Sequence, residues 1–442
     1  DALPIFDNLA VSGPAMAATG KVSVTAMQSN PAVNGSLSIA ETNLKTLASM
    51  FASPIETTDP VAMTRASGDL TFGFVDGALK LDPLKLTLDD SNLDGYLHVL
   101  DTSGPVIRTR LALDQIDLDR YMPPAAGDEG VATKEVPDTA AEPGAPSQDP
   151  FAALRPLDFV GEFTIGQLKA GNARMSNVST KVVSKQGVLK VDPMSASLYQ
   201  GKLQGRIELD ASGKTTRVAA KQSLSDIQVG PLLKDVAGED RLLGRGELQL
   251  DISAVGISEA EVRRSLNGSS SFAFRDGAFK GVNIAQVIRD ASSRLGLGGD
   301  KLETGTPGQT DFSEVSASLK ITNGVIKNDD LAAKSPLLRV EGKGEVDLPK
   351  DTIDYLVTTE LVGSLEGQGG KSRSELSGIP IPVRVTGPLT KPNYRPDLEA
   401  ALSAKAKAQL DEKKEEVKQK AQEKIEEKVK GPLGDALKGL FN

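Results

Sequence analysis

The sequence contains no cysteine and no tryptophan, a single histidine, and only 12 Phe and 5 Tyr among 442 residues. Each shortage removes a class of function. Without cysteine there is no disulfide, no thiolate nucleophile and no zinc–thiolate centre. The lone histidine, His98 in the strand-like "GYLHVL", has no carboxylates at ligand spacing beside it, so it reads as a structural or surface residue. Scarce aromatics leave burial to aliphatic side chains. No run approaches the roughly 18 consecutive apolar residues that a membrane-spanning helix needs. A formal net charge of -9 argues against a general nucleic-acid binder, which works through clustered cations. The opening "DALPIFDNLA" has neither an initiator Met nor a signal-like segment, so the chain reads as a processed or truncated piece with any anchor upstream.

What the chain does have is glycine (43) and proline (25), and a repeated unit. "GALKLD" (77–82), "GVLKVD" (187–192) and "GVIKND" (324–329) share a glycine, two aliphatics, a lysine and an aspartate. Gly77, Gly187 and Gly324 follow Asp76, Gln186 and Asn323, the chemistry of a tight hairpin turn with left-handed backbone. The alternation that follows sets Leu79/Leu81, Leu189/Val191 and Ile326 on one face and Lys80, Lys190 and Lys327 on the other. "RDGAFKGVNI" (275–284) reads as a degenerate fourth copy of this turn and strand. A second unit recurs as "IDLDRYM" (116–122), "IQVGPLL" (227–233) and "VNIAQVI" (282–288), with "TNLKTLA" (42–48) a weaker relative. Each reads as a strand end turning into a short helix. Both units keep a period of about 110 residues, too long for a small solenoid repeat. The repetition concerns shape. Period-2 stretches such as "LTFGF" (70–74), "LKLTL" (84–88) and "VSASLKI" (315–321) predict antiparallel sheets with one apolar face.

Two segments depart from this pattern. Residues 123–150 hold six Pro, six Ala and six acidic residues, a composition that cannot bury enough surface to order itself. From 397 to 430 there is neither Gly nor Pro, and Leu398, Leu402, Ala406, Leu410, Val417, Ala421, Ile425 and Val429 fall at helical spacing among nine acidic and nine basic residues. This predicts a long, charge-balanced C-terminal helix. After it, Leu433, Leu437, Leu440 and Phe441 form an apolar tail that could dock a partner, touch a membrane or fold back on the body. The predicted organisation is an N-terminal β-rich module (1–122), the loop 123–150, a second β module (151–396) and the helix with its tail (397–442).

Chemistry is thin. "LDDSNLD" (88–94) and "NDD" (328–330) are the densest loop carboxylates, but their spacing is not that of an EF-hand and they read as solvated turn residues. HExxH and GxSxG are absent, and "EGKGE" (341–345) lacks the context of a phosphate cradle. The expectation is a non-enzymatic protein with no cofactor and no metal.

Several segments resemble the AsmA family of bacterial envelope proteins. They are "LSDIQVGPLLKDVAGEDRLLGRGELQLDISAVG" from 224, "LNGSSSFAFRDGAFKGVNIAQVIR" (266–289), "TDFSEVSASLKITNGVIKNDDLAAKSPLLRVEGKGEVDLPKDTIDY" (310–355) and "IPIPVRVTGPLTKPNYRPDL" (379–398). The resemblance is specific over about 155–398 and weaker over 20–122. It implies a long curved sheet forming a groove, related to bridge-like lipid-transfer proteins. It also implies a periplasmic location with an N-terminal inner-membrane helix absent from this chain, and a role in phospholipid delivery and outer-membrane integrity. The expected partners are then phospholipid acyl chains, and inner- or outer-membrane proteins through the C-terminal helix. From alternation, the groove-facing candidates are Phe72, Phe74, Leu79, Leu81, Leu86, Leu88, Leu189, Val191, Ile207, Leu209, Phe272, Phe274, Leu319 and Ile321. The rival reading is a non-enzymatic scaffold for outer-membrane protein assembly with a closed sandwich core.

Overall fold

The structure, a computed structural model, describes residues 5–13, 15–25, 31–51, 54–101, 104–124, 151–281, 308–335, 338–361 and 380–396, with a few helical residues between 403 and 420. The chain divides into two compact units, residues 1–277 with 319–324, and 278–318 with 325–442. The fold is mostly β, with 20 strands and only short helices among the described residues.

In the first unit the strands are β1 (Ile5–Ser12), β2 (Ala17–Thr25), β3 (Ala32–Thr42), β4 (Ala66–Val75), β5 (Ala78–Leu88), β6 (Ser91–Asp101) and β7 (Val106–Asp117). They continue as β8 (Asp158–Ala170), β9 (Ala173–Lys185), β10 (Val188–Leu198), β11 (Gly201–Asp210), β12 (Arg217–Gln228) and β13 (Leu242–Val255). Each pairs with the next along the chain. The sheet is therefore an open meander. Its one departure from the antiparallel expectation is β7–β8, which run parallel with Val106 opposite Asp158. No tight turn can join parallel neighbours, so the connection needs the long 118–157 crossover. The expected mobile stretch 123–150 falls within that crossover and, from 125 on, lies outside the described residues.

The hairpin turns form where glycine predicted them. Asp76-Gly77, Gln186-Gly187 and Asn323-Gly324 all have both residues at positive φ, between 48° and 82°. This is the turn whose twist matches paired strands. The fourth copy does not turn. Asp276 takes φ 50° inside the continuous strand β14 (Asn267–Lys280), making an irregularity rather than a hairpin. The strand-to-helix units form as read. Thr42 ends β3 before α1 (Leu44–Met50), Asp117 ends β7 before a single 3₁₀ turn (Leu118–Arg120), and Gln228 ends β12 before α2 (Val229–Ala237). The Asn43 side chain caps α1 by accepting from the Thr46 N–H at 3.0 Å. The unit at 282–288 lies outside the described residues. A third helix, α3 (Glu259–Ser265), starts with a capping box between Ser258 and Glu261.

β15 (Gln309–Thr322) lies in the second unit up to residue 318 and in the first from 319. In the second unit β16 (Val325–Lys334), β17 (Leu338–Asp347), β18 (Thr352–Leu361), β19 (Ile381–Pro388) and β20 (Asn393–Pro396) form an antiparallel meander. The long C-terminal helix is not shown. Its span and the tail residues Leu433, Leu437, Leu440 and Phe441 lie almost wholly outside the described residues. No helix among the described residues is long and apolar enough to cross a membrane.

Candidate functional site: an apolar sheet face

Residues directly opposite in a ladder share a face, so register shows which side chains stand together. From β3 to β8 one row reads Leu37, Leu70, Leu84, Gly95, Leu111 and Phe163. The next reads Val33, Phe74, Leu79, Val99, Ile107 and Phe159. Farther along, Val182, Val191, Ile207, Ala220 and Ile252 continue the same face across β9 to β13. The apolar positions of the first unit thus form one surface running across its strands.

The opposite face is charged. Lys190 and Glu208 are register partners with an ion pair at 3.2 Å, and Lys221 and Asp251 pair at 3.0 Å. Exposed pairs like these contribute little stability but keep that face wet.

Regular alternation alone would not hold the aliphatics together. In β5 the face passes from Leu81 to Leu84, while on β4 the partners are Phe72 and Leu70, two residues apart. One extra residue at Asp82-Pro83 is a β-bulge that moves the face from odd to even positions. The same device occurs at Asp192-Pro193, between Val191 and Met194, and both peptide bonds are cis. In the second unit it recurs between Asn328 and Leu331. A second set of bulges, between Ile39 and Thr42 and between Leu224 and Ile227, re-aims the strands just before α1 and α2.

Of the sequence candidates, Phe72, Phe74, Leu79, Leu81, Leu86, Leu88, Leu189, Val191, Ile207 and Leu209 are brought onto this face by the continuous register. Phe274 joins it by packing against the cluster of Leu198, Ile227 and Val229, and Phe272 stacks on Phe274 with ring centroids 5.1 Å apart. Leu319 and Ile321 alternate with exposed Lys320 on β15, with Ile321 buried. Sequence reading missed Leu84, the best buried of the β5 aliphatics, together with Leu93, Leu97, Leu111 and Phe163. Alternation in "YLHVL" and "RLAL" was the available signal. Small residues make room between the large ones. A Cβ on Gly161 would stand 2.7 Å from the rings of both Phe159 and Phe163.

Among the described residues, no second layer packs on the face along most of its length. Each strand of the unit packs against its sequence neighbours, and the helices sit at strand ends. Leu79, Leu81, Leu86, Leu189, Val191 and Ile207 are accordingly half-buried, and Phe74 is 40% exposed. The exception is one end, where α2 lays Leu232 and Leu233 against a buried cluster of Leu198, Ile227 and Val229. There the surface is closed.

Polar groups gather at the same end of the strands. The buried Asp89 carboxylate accepts from the Met63 N–H at 2.8 Å, the Arg65 N–H at 3.2 Å and the Tyr121 hydroxyl at 3.0 Å. Burial, reinforced by Asp89, pushes the Tyr121 hydroxyl up to about 12. Arg120 bridges Asp59 at 2.6 Å and Asp90 at 3.2 Å. The Asp59 carboxylate is held below its usual range by the Val61 N–H and then by Arg120, and Asp90 by Arg65 and then Arg120. The His98 ring lies tilted against Tyr96 with centroids 4.6 Å apart, and its Nε2 is 3.6 Å from Asp82. Among the described residues no group of three or more His, Asp or Glu side chains is placed to hold a metal ion.

The chain is 27% identical over 326 residues to Protein AsmA of Escherichia coli (strain K12), an alignment covering 72% of this chain and 52% of that protein. It therefore spans about half the length of this relative. No solved structure matches the chain. The model of the AsmA family matches residues 57–331, more than half of the sequence, and the chain belongs to that family.

Proposed function

We propose that this chain is a non-enzymatic, lipid-binding protein of the periplasm that carries phospholipid between the inner and outer membranes on its apolar sheet face. Membership of the AsmA family suggests an envelope-associated role. The observation that supports lipid carriage is the face itself: row after row of aliphatics in register, half-exposed, with no layer over them among the described residues along most of the first unit. An apolar surface of this extent in a water-facing protein calls for a partner. Acyl chains suit it, because a surface of Leu, Val and Ile offers burial without directional contacts. At about 0.8 kcal/mol per buried CH₂, a chain is held firmly. Because neighbouring rows are chemically alike, it can also shift from one to the next. A scaffold with a closed sandwich core would need a second sheet over this face.

The test is mass spectrometry of the gently purified chain for co-purified phospholipid and its stoichiometry. Bound lipid that disappears in folded variants carrying charge on the face supports the reading. A lipid-free protein that stays monodisperse without detergent, and takes up no fatty acid, would overturn it.

A further inference from the structure

At the strand ends of the first unit lies an open cleft of about 640 Å³ between the 3₁₀ turn at Leu118–Arg120 and the β10–β11 hairpin. Its lining includes Arg174, Ser176, Ser197 and Lys202. These four are neighbours by register. Ser176 lies opposite Ser197, Ser197 lies opposite Lys202, and Arg174 precedes Ser176 at the two-residue spacing that shares a strand face. On three adjacent strands, each roughly 4.8 Å apart, they make a patch about 10 Å across.

All four can donate hydrogen bonds, and they are largely uncommitted. Lys202 and the hydroxyls of Ser176 and Ser197 have no protein partner among the described residues. Arg174 is 73% exposed and has only a long contact, 3.5 Å from Nε to Asp235. The Asp235 carboxylate also accepts from the Tyr199 hydroxyl at 2.8 Å. The other charges lining the cleft are matched among themselves. Asp90 is taken by Arg65 at 2.7 Å and Arg120 at 3.2 Å, and Asp117 by Lys169 at 3.1 Å. In a chain of net charge -9 the patch is therefore a local surplus of cations and hydroxyl donors. Guanidinium, ammonium and hydroxyl groups converging from neighbouring strands match the several acceptor oxygens of a phosphate.

We infer that this cleft binds a phosphate group, with Arg174 and Lys202 neutralising its charge and Ser176 and Ser197 donating to its oxygens. The phosphate could belong to a lipid headgroup or to a small soluble phosphate. The site does not depend on the apolar face holding acyl chains.

Calorimetric titration of the full chain in about 0.15 M salt, where weak surface attraction is largely screened, tests this. The probes are inorganic phosphate, short-chain phosphatidylglycerol below its micelle concentration, and the matching diacylglycerol. Phosphatidylglycerol is expected to bind and diacylglycerol to bind at least tenfold more weakly. Inorganic phosphate binding as well identifies the phosphate alone as sufficient; its failure to bind assigns the site to a lipid. The double variant Arg174→Gln, Lys202→Gln is expected to lose tenfold or more, while Lys343→Gln, an exposed lysine of the second unit, is unchanged. Absence of binding by both phosphate probes overturns the inference, as does equal binding of diacylglycerol or an unaffected double variant. A charged variant of the apolar face that loses fatty acid yet keeps phosphate affinity separates this site from the lipid-carrying reading.

Discussion

Leu81 and Leu84 stand on the same face of β5, opposite Phe72 and Leu70, although regular alternation would send them to opposite sides. The bulge at Asp82-Pro83 supplies the one extra residue that keeps both on the apolar surface, and β10 repeats the arrangement at Val191 and Met194. The repeated aspartate of the hexapeptides therefore marks where each strand changes phase.

Two single-residue deletions in β5 should behave very differently. Removing Pro83 deletes the extra residue and leaves one residue on each strand between the flanking pairs, so Leu84, Leu86 and Leu88 keep their partners Leu70, Gly68 and Ala66. The expected cost is about 1 kcal/mol or less. Removing Lys85 instead turns Leu86 and Leu88 to the charged face, at a cost on the order of 3 kcal/mol. Urea denaturation of both variants measures this, and equal destabilisation would mean that the bulge does not set the face.

Gly95 lies between Leu84 and Leu111 in the same row, with φ 155°. A Cβ there would fall 1.9 Å from the Arg110 carbonyl oxygen, which is backbone and cannot swing aside. Gly95→Ala should therefore cost about 2 kcal/mol or more, despite the better strand propensity of alanine. The denaturation midpoint reports it. A neutral result would show that β6 and β7 can separate locally without penalty.

The polar cluster at the strand ends sets a pH dependence at both extremes. Asp59 and Asp90 are depressed below the ordinary 3.8, so the stability they contribute is present above that value and is lost as pH falls through their folded values. Tyr121 is raised from 10.0 to about 12, so its contribution is complete below pH 10 and is lost between about 10 and 12. Melting temperature should thus fall below about pH 4 and again above pH 10. In Tyr121→Phe the alkaline fall should shrink while the acid limb stays. An unchanged alkaline limb would place that titration elsewhere.

Much of this was legible in the sequence because it is local. Asp76-Gly77 and Gln186-Gly187 turn where they do because glycine takes positive φ without strain. The units at 42, 116 and 227 end strands and start helical turns through nearby residues. Alternation by itself would have separated Leu79 and Leu81 from Leu86 and Leu88, and only the cross-strand register shows why all four share a face. The parallel pairing of β7 with β8 was not legible, since no residue near Asp117 or Asp158 encodes a partner 52 positions away. At Asp276-Gly277 the same dipeptide chemistry gave an irregularity inside a strand, because the chain continues straight through β14. The patch of Arg174, Ser176, Ser197 and Lys202 is scattered over three strands and becomes a site only through register.

A charge placed at two points of the apolar surface distinguishes an uncovered face from a covered one. Leu81 is half-buried in the part over which no described residue forms a second layer, whereas Ile227 is 4% exposed beneath α2 and packed with Leu198 and Val229. In Leu81→Glu the carboxylate can stay in water, so the protein should keep its circular dichroism and melt within a few degrees of the parent. An acyl chain crossing that row would have to desolvate the charge, and affinity for a fluorescent fatty acid should fall about tenfold or more. In Ile227→Glu no route to water exists without displacing α2, and the expected cost is about 3 kcal/mol or more. Thermal melts and fatty-acid titrations on the same two preparations read both effects. If Leu81→Glu unfolds as readily as Ile227→Glu, the face is covered in solution, and a carrier of acyl chains on this surface is untenable.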